Sequence, residues 1–394
     1  MKVWQQPLPP IYNKLSDAEL RVRIQLARES LGDQLVILGH HYQQDAVIEF
    51  ADFTGDSFEL SRKAAEQNKA QYVIFCGVHF MAESADILTD EHVRVILPDL
   101  GAGCSMADMA NLDQTLECWE QLQETCPGQV IVPITYMNSS AAIKAFVGEH
   151  GGAVCTSSNC RDVLEWAFRG GATPEGVAAA KRGAVKVLFF PDQHLGRNTA
   201  YAMGIPLDQM VLWDPKHDLG GNDEQVLQFA RVVLWKGHCS VHQLFRPEHV
   251  DEVRAKYPGM KVMVHPECRF EVVQKADLAG STAYIVKQVE AAPPGTRWAI
   301  GTEVHLINRL ARQHPEQQII VLSDCQCLCT TMFRIDLPHL CWAIENLVEG
   351  KVVNEIKVDA HTRQWATVAL ERMLVIKGTG NPIGKQQPVG TTID

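Results

Sequence analysis

No uninterrupted apolar stretch in this chain approaches the roughly 18 to 20 residues that a membrane-spanning helix needs. Residues 1–18 carry neither the apolar core nor the cleavage site of an export signal. Blocks of basic residues are missing too, with Asp and Glu totalling 47 against 36 Lys and Arg and a net charge of −11. That balance speaks against nucleic acid and against a membrane surface as partners. The expected setting is the cytoplasm, where thiols stay reduced, so the twelve cysteines are not expected to form a disulfide framework. Paired Cys-x-x-Cys motifs and ferredoxin spacing are both lacking, which excludes a zinc ribbon and a self-contained ferredoxin site. Cys76, Cys118, Cys155 and Cys341 sit among apolar neighbours and read as small buried hydrophobes.

What the chain does have is alternation. Leu35–Leu38, Tyr72–Phe75, Val93–Leu97, Val130–Ile134, Val185–Phe190, Met260–Val264, Trp298–Ile300 and Ile319–Leu322 are short apolar runs rich in Val and Ile. Such runs suit strands buried on both faces, as in parallel sheets. Between them Asp56–Gln67, Ala141–Phe146, Thr282–Val289 and Glu303–Gln313 space apolar residues by three and four, the helical period. The fold class is therefore α/β with parallel sheets, and 394 residues suffice for several cores.

Three stretches repeat one plan. A strand ends in Gly39-His40-His41-Tyr42, Tyr136-Met137-Asn138-Ser139 or His265-Pro266-Glu267, and a second strand is expected to close on His79, His194 or His305. A cysteine follows: Cys104, Cys239 or Cys329. From strand-end residue to histidine to cysteine the first unit runs 39 then 25 residues and the third 40 then 24. The middle unit, 58 then 45, carries insertions expected near 170–183 and 214–222. Self-similarity at a fixed period marks a copied supersecondary unit, and three copies ending in one cysteine each can deliver three thiolates to a shared axis. Pro127-Gly128 and Pro258-Gly259 are helix-stop signals placed before the next unit's first strand. They set the expected organisation: an N-terminal extension over 1–20, α/β domains over 21–127, 128–258 and 259–347, and a C-terminal extension over 348–394 that is partly disordered.

Parallel α/β units bind ligands beyond the carboxyl ends of their strands. His40, Tyr42, Tyr136, Asn138, His265 and Glu267 would converge there with the cysteines, although one His or Tyr at a strand end can equally cap a helix. Thr54-Gly55-Asp56-Ser57, Thr156-Ser157-Ser158-Asn159 and Gly280-Ser281-Thr282 are hydroxyl-bearing turns before helical patterns. They read as N-caps or, facing one cavity, as seats for carboxylates or phosphate. Cys325-Gln326-Cys327-Leu328-Cys329 is the densest cysteine tract, and with Cys104 and Cys239 it points to a three-cysteine metal site.

The motifs GHHYQ, GDSFELS, FCGVHFMAE, YMNSSAAIKA, CTSSN, FPDQHLG, KGHCSVH, HPEC and GSTAYI, together with the Cys329 to Met332 segment, resemble the quinolinate synthases from about Leu35 to Leu347. The resemblance implies three similar three-layer αβα domains about a pseudo-threefold axis. It also implies a [4Fe–4S] cluster on Cys104, Cys239 and Cys329. Substrate residues fall on His40, Ser57, Tyr136, Asn138, Ser157, His265, Glu267 and Thr282, with Tyr42, His242 and Ser281 also lining the pocket. Glu267, Tyr42, Tyr136 and His242 are the expected catalytic residues. The implied substrates are iminoaspartate and dihydroxyacetone phosphate, and a transient partner would be the enzyme that supplies iminoaspartate. The tight Cys325-x-Cys327-x-Cys329 spacing departs from the Cys-x-x-Cys-x-x-Cys of some members. Two rivals remain: an aconitase-like hydro-lyase, and a redox protein whose cluster takes a fourth ligand from Cys268 or Cys327.

Overall fold

The computed structural model describes residues 5–67, 69–324 and 328–376. Cys325, Cys327 and the tail from Gly378 to Asp394 lie outside them. The first sheet contains β1 (Leu35–His40), β2 (Phe53–Gly55), β3 (Tyr72–Cys76) and β4 (Arg94–Ile96). The second contains β5 (Val130–Tyr136), β6 (Ala153–Cys155), β7 (Val185–Phe190), β8 (Met210–Trp213) and β9 (Val232–Trp235). The third contains β10 (Lys261–Val264), β11 (Leu278–Ala279), β12 (Arg297–Gly301) and β13 (Gln318–Val321), and the short β14 (Glu355–Ile356) returns to the first.

Strand order is β14-β4-β3-β1-β2, β6-β5-β7-β9-β8 and β11-β10-β12-β13. Apart from the two edge additions, β14 and β8, the three sheets share one topology, with the first strand of each unit flanked by its second and third. Every pairing is parallel except β14 with β4. All eight apolar runs picked out above are strands, and β3 and β7 are buried along their whole length. The middle unit's extra residues form the helix Pro174–Ala180 and the edge strand β8. Gly128 and Gly259, at φ +79° and +81°, supply the left-handed turn that stops the helix before β5 and the one before β10.

Packing interlocks the units. The helix after Cys104, Leu112–Thr125, packs on helices Ala141–Glu149 and Glu224–Phe229 beside the second sheet. The helix after Cys239, Pro247–Lys256, joins Val250 and Val253 to the core of the third sheet with Val262 and Val264. The helix after Cys329, Leu337–Val348, closes the ring on helix Asp17–Leu31 of the first unit. There Glu345 accepts hydrogen bonds of 2.6 Å from Arg23 and from the Tyr12 hydroxyl. Each cysteine therefore stands where the chain leaves one sheet to pack on the next.

Residues 349–376 complete the same body. Helix Ala360–Val375 crosses Ala141–Glu149 so closely that a side chain at Gly148 would meet the Trp365 carbonyl at 2.0 Å. The Asp86 carboxylate anchors this segment by accepting from Val358 N–H at 2.9 Å and Arg363 at 2.7 Å. Among the described residues, no helix is long and apolar enough to cross a membrane.

The expectation that His79, His194 and His305 end strands is corrected. The strands stop at Cys76, Phe190 and Gly301, and each histidine sits in the first turn of the following helix, His79–Leu88, Gln193–Ala202 or Val304–Gln313. Asp192 and Glu303 cap the latter two by accepting from backbone N–H groups.

Candidate active site

The carboxyl ends of β1, β5 and β10 face a common cavity. Its wall takes His40, Tyr42 and Ser57 from the first unit, Tyr136, Asn138, Ser157 and His242 from the second, and His265, Glu267 and Thr282 from the third. Cys104, Cys239 and Cys329 line it as well. Of the cluster, substrate and catalytic residues that the resemblance implies, Ser281 alone is absent from this wall. Its hydroxyl accepts the Tyr284 N–H at 3.2 Å as N-cap of helix Thr282–Glu290.

Strand ends and helix starts aim these groups. Ser57 and Thr282 are the first residues of helices Ser57–Ala65 and Thr282–Glu290, where backbone N–H groups lack intrahelical partners. Asp56 caps the first helix by accepting from Phe58 and Glu59 N–H, and it also lines the cavity. Ser157 lies in the turn before helix Cys160–Phe168 and shares a 3.2 Å hydrogen bond with His265 Nε2. Among the described residues no Lys or Arg side chain lines the cavity. An anion held there is met by hydroxyls, imidazoles and helix N-termini, which favour negative charge.

A hydrogen-bonded network runs between units. The Tyr42 hydroxyl bonds Thr282 Oγ1 at 3.0 Å and Thr302 Oγ1 at 2.9 Å, and Thr302 Oγ1 also meets His242 Nε2 at 3.2 Å. On its other side His242 Nδ1 lies 2.6 Å from Glu267 Oε2, which is also 3.3 Å from His265 Nδ1. The two imidazoles stack with centroids 4.5 Å apart. Burial would raise the Glu267 pKa, but the His242 and His265 contacts outweigh it and hold the carboxyl well below its usual range. Burial raises Tyr42 and Tyr136 well above the usual phenol, so both stay protonated donors. Burial also lowers His40 to about 3 and keeps it neutral.

The thiols share one construction. Each cysteine carbonyl accepts the N–H four residues on, from Asp108, Gln243 and Phe333, at 3.0 to 3.2 Å. This folds the chain into a tight turn whose N–H groups, from Met106 and Ala107, His242, and Thr331 and Met332, bond back to the sulfur. Burial nevertheless pushes Cys104 up to about 12 and Cys239 well above its usual value, with the neighbouring thiols raising them further. Cys239, His242 and Glu267 also bring ligand atoms within 4.8 Å of one another. Cys268, one rival's fourth ligand, points its sulfur at the Gly301 carbonyl, 3.6 Å away, and is absent from the cavity wall.

Two features escaped the sequence. Thr302 joins Tyr42 to His242, but its repeat counterparts are Cys76 and Pro191, so the repeat gives no polar signal there. Lys144 is fully buried, bonds the Ser139 carbonyl and stands 5.4 Å from the Phe80 ring centroid, and burial lowers its ammonium to about 8. Its position inside an apolar helix gave the only cue.

Among the described residues, fold and site together define a three-sheet α/β enzyme whose sheets share a cavity lined by three thiols. Residues 23–375 match the family model described as "NadA: Quinolinate synthetase A protein". The chain is 59% identical over 370 residues to the quinolinate synthase of Acidobacterium capsulatum, covering 93% of this chain and 95% of that one. It is 53% identical over 382 residues to that of Rhodopirellula baltica, covering 94% of each, and 54% identical over 372 residues to that of Corynebacterium glutamicum, covering 94% and 91%. The chain belongs to the quinolinate synthase family.

Proposed function

We propose that the chain condenses iminoaspartate with dihydroxyacetone phosphate in the cytoplasm, giving quinolinate, phosphate and two waters, with a [4Fe–4S] cluster held by Cys104, Cys239 and Cys329. The observation that carries the reading is the convergence of one cysteine from each repeat on the cavity that holds Glu267. The donor set fits such a cluster. Three half-buried thiols within electrostatic reach of one another are costly to ionise alone, and a bound cation offsets that cost. Among the described residues no fourth cysteine lines the cavity, so when bound the cluster supplies one open iron as a Lewis acid.

The chain's own residues do the rest. Ser57, Ser157 and Thr282, with His40, Asn138 and His265, hold the substrate carboxylates by charge-assisted hydrogen bonds. Glu267, ionised and in contact with His242, takes a proton from the substrate carbon or nitrogen and returns it to a departing hydroxyl. Tyr42 and Tyr136, kept protonated by burial, donate to oxygens on which charge develops. The enzyme that supplies iminoaspartate would meet the chain only transiently.

The test is anaerobic purification, iron and sulfide analysis, and an assay for quinolinate from iminoaspartate generated in situ. Cluster and quinolinate are both expected. Dehydration of a citrate-like acid without any use of dihydroxyacetone phosphate would favour the aconitase-like reading instead.

A further inference from the structure

In each repeat, the residue four positions after the helix-start histidine is Glu83, Asn198 or Arg309. All three reach out of their own unit and grip the site loop of the next. Arg309, in the third unit, donates to the carbonyls of His41 at 2.9 Å and Gln43 at 2.5 Å in the first. Those carbonyls flank Tyr42. Asn198, in the second unit, donates to the carbonyls of Pro266 at 2.8 Å and Cys268 at 2.9 Å in the third, and those flank Glu267. Glu83, in the first unit, accepts the Ala141 N–H at 3.0 Å in the second, at the start of the helix that follows Asn138. The three contacts run first to second, second to third and third to first, closing a ring.

The residue types differ while the position repeats, and each type suits the polarity it meets. Carbonyl pairs are met by groups with two donors, and an amide N–H is met by a carboxylate. Peptide units are planar, so a donor that holds the His41 and Gln43 carbonyls fixes the plane entering Tyr42 and the second plane after it, and restrains the short span that carries the side chain. The same holds at Glu267. Asn198 is fully buried, and its Oδ1 has no hydrogen-bond partner, so its two donated bonds alone account for the amide.

We propose that Arg309, Asn198 and Glu83 are positioning residues, a ring of latches through which each unit sets the aim of its neighbour's site residue: Tyr42, Glu267 and Asn138 respectively. The inference rests on the roles given above to Tyr42 and Glu267. It predicts that a latch acts through one particular side chain and through no other.

The test is a pair of double-mutant cycles on the cluster-loaded enzyme. Arg309→Lys keeps the charge but not the planar pair of donors, and Asn198→Asp keeps the shape but loses both donors. Each should lower kcat by about 10- to 100-fold, the cost of an ångström-scale misplacement, with iron per chain as in the parent. Asn198→Asp also sets a carboxyl against two buried carbonyls and lowers the unfolding midpoint, so its kcat is read on folded enzyme well below that midpoint. In a Tyr42→Phe background the Arg309→Lys loss should shrink to less than about threefold, because a residue already disabled cannot be misaimed. Asn198→Asp should lose its effect likewise in Glu267→Gln. The crossed combination, Arg309→Lys with Glu267→Gln, should instead multiply. Equal losses in every background, or losses that track iron content, would overturn the latches and reduce them to structural contacts. Full turnover in Tyr42→Phe and Glu267→Gln alone would overturn the assignment of those two residues, and the inference with it. Should either latch variant fail to fold, the other cycle decides.

Discussion

Glu267 Oε2 lies 2.6 Å from His242 Nδ1, and the two side chains come from different repeats of the chain. Within its own repeat Glu267 Oε2 meets His265 Nδ1 at the longer distance of 3.3 Å. The site is made when the turn after Cys239, which carries His242, packs against the third sheet, whose β10 leads into the loop carrying Glu267.

Glu267→Gln keeps the size of the side chain but replaces a carboxylate with an amide that can neither take nor return a proton. Turnover should fall on the order of 10²-fold or more while iron content stays that of the parent. Near-normal turnover would leave Glu267 as a support for the stacked His242 and His265 rings.

Replacing Cys104, Cys239 or Cys329 by Ser should abolish the cluster, since each turn presents one sulfur and the three turns are equivalent. Cys118→Ser and Cys341→Ser should leave iron and visible absorbance unchanged, because both thiols are sealed in apolar cores away from the cavity. Full iron in a Cys239→Ser protein would refute the ligand set.

Much of this was legible in the chain for a physical reason. Strands buried on both faces are continuous apolar runs, and equal spacings in the first and third units announce a repeat whatever its residues are. Helix Thr282–Glu290 and its Ser281 cap are readable as local chemistry, since a hydroxyl before a 3.6-period run satisfies a free N–H. The same local rule cannot decide which hydroxyl caps and which faces the cavity, and Ser281 and Thr282 divide those tasks. Nor do spacings show that the helix after each cysteine packs on the next sheet. That is a tertiary outcome, and it explains why Thr302 and the latch residues carried no signal of their own.

Burial should make the metal-free protein acid-sensitive. His40 is lowered to about 3, and His41 and His194 to about 4, by burial first; nearby positive groups lower His40 further, while Asp56 at His41 and the Gln243 hydrogen bond at His194 partly offset burial. An unfolded histidine titrates near 6.5, so below that pH the unfolded chain binds protons that the folded chain refuses, and stability falls as pH falls from about 6.5 toward 4. Each group contributes on the order of 1 kcal/mol per pH unit within that window. The midpoint of thermal unfolding should be lower at pH 5 than at pH 7, and His194→Gln, outside the cavity, should flatten the slope. Equal midpoints at the two pH values would show that these rings are hydrated in the folded state.

The last expectation concerns the anion seats. Ser57, Ser157 and Thr282 each come from a different repeat, and each stands at or just before a helix start on the cavity wall. A hydroxyl-to-carboxylate bond contributes about 1.5 to 3 kcal/mol, so each Ala substitution should weaken dicarboxylate binding by roughly ten- to a hundredfold. Ser281→Ala serves as the contrast: it removes a cap, costs about 1 kcal/mol of stability, and should leave binding nearly unchanged. Because the three seats lie on three units, one bound dicarboxylate ties at least two of them together, and local opening between units then requires its release. Malate or quinolinate at saturating concentration should therefore slow proteolysis of the intact chain by the factor 1 + [L]/Kd for cleavage that needs that opening. Equal digestion rates with and without ligand, at concentrations where binding is shown independently, would mean that cleavage does not pass through separation of the units.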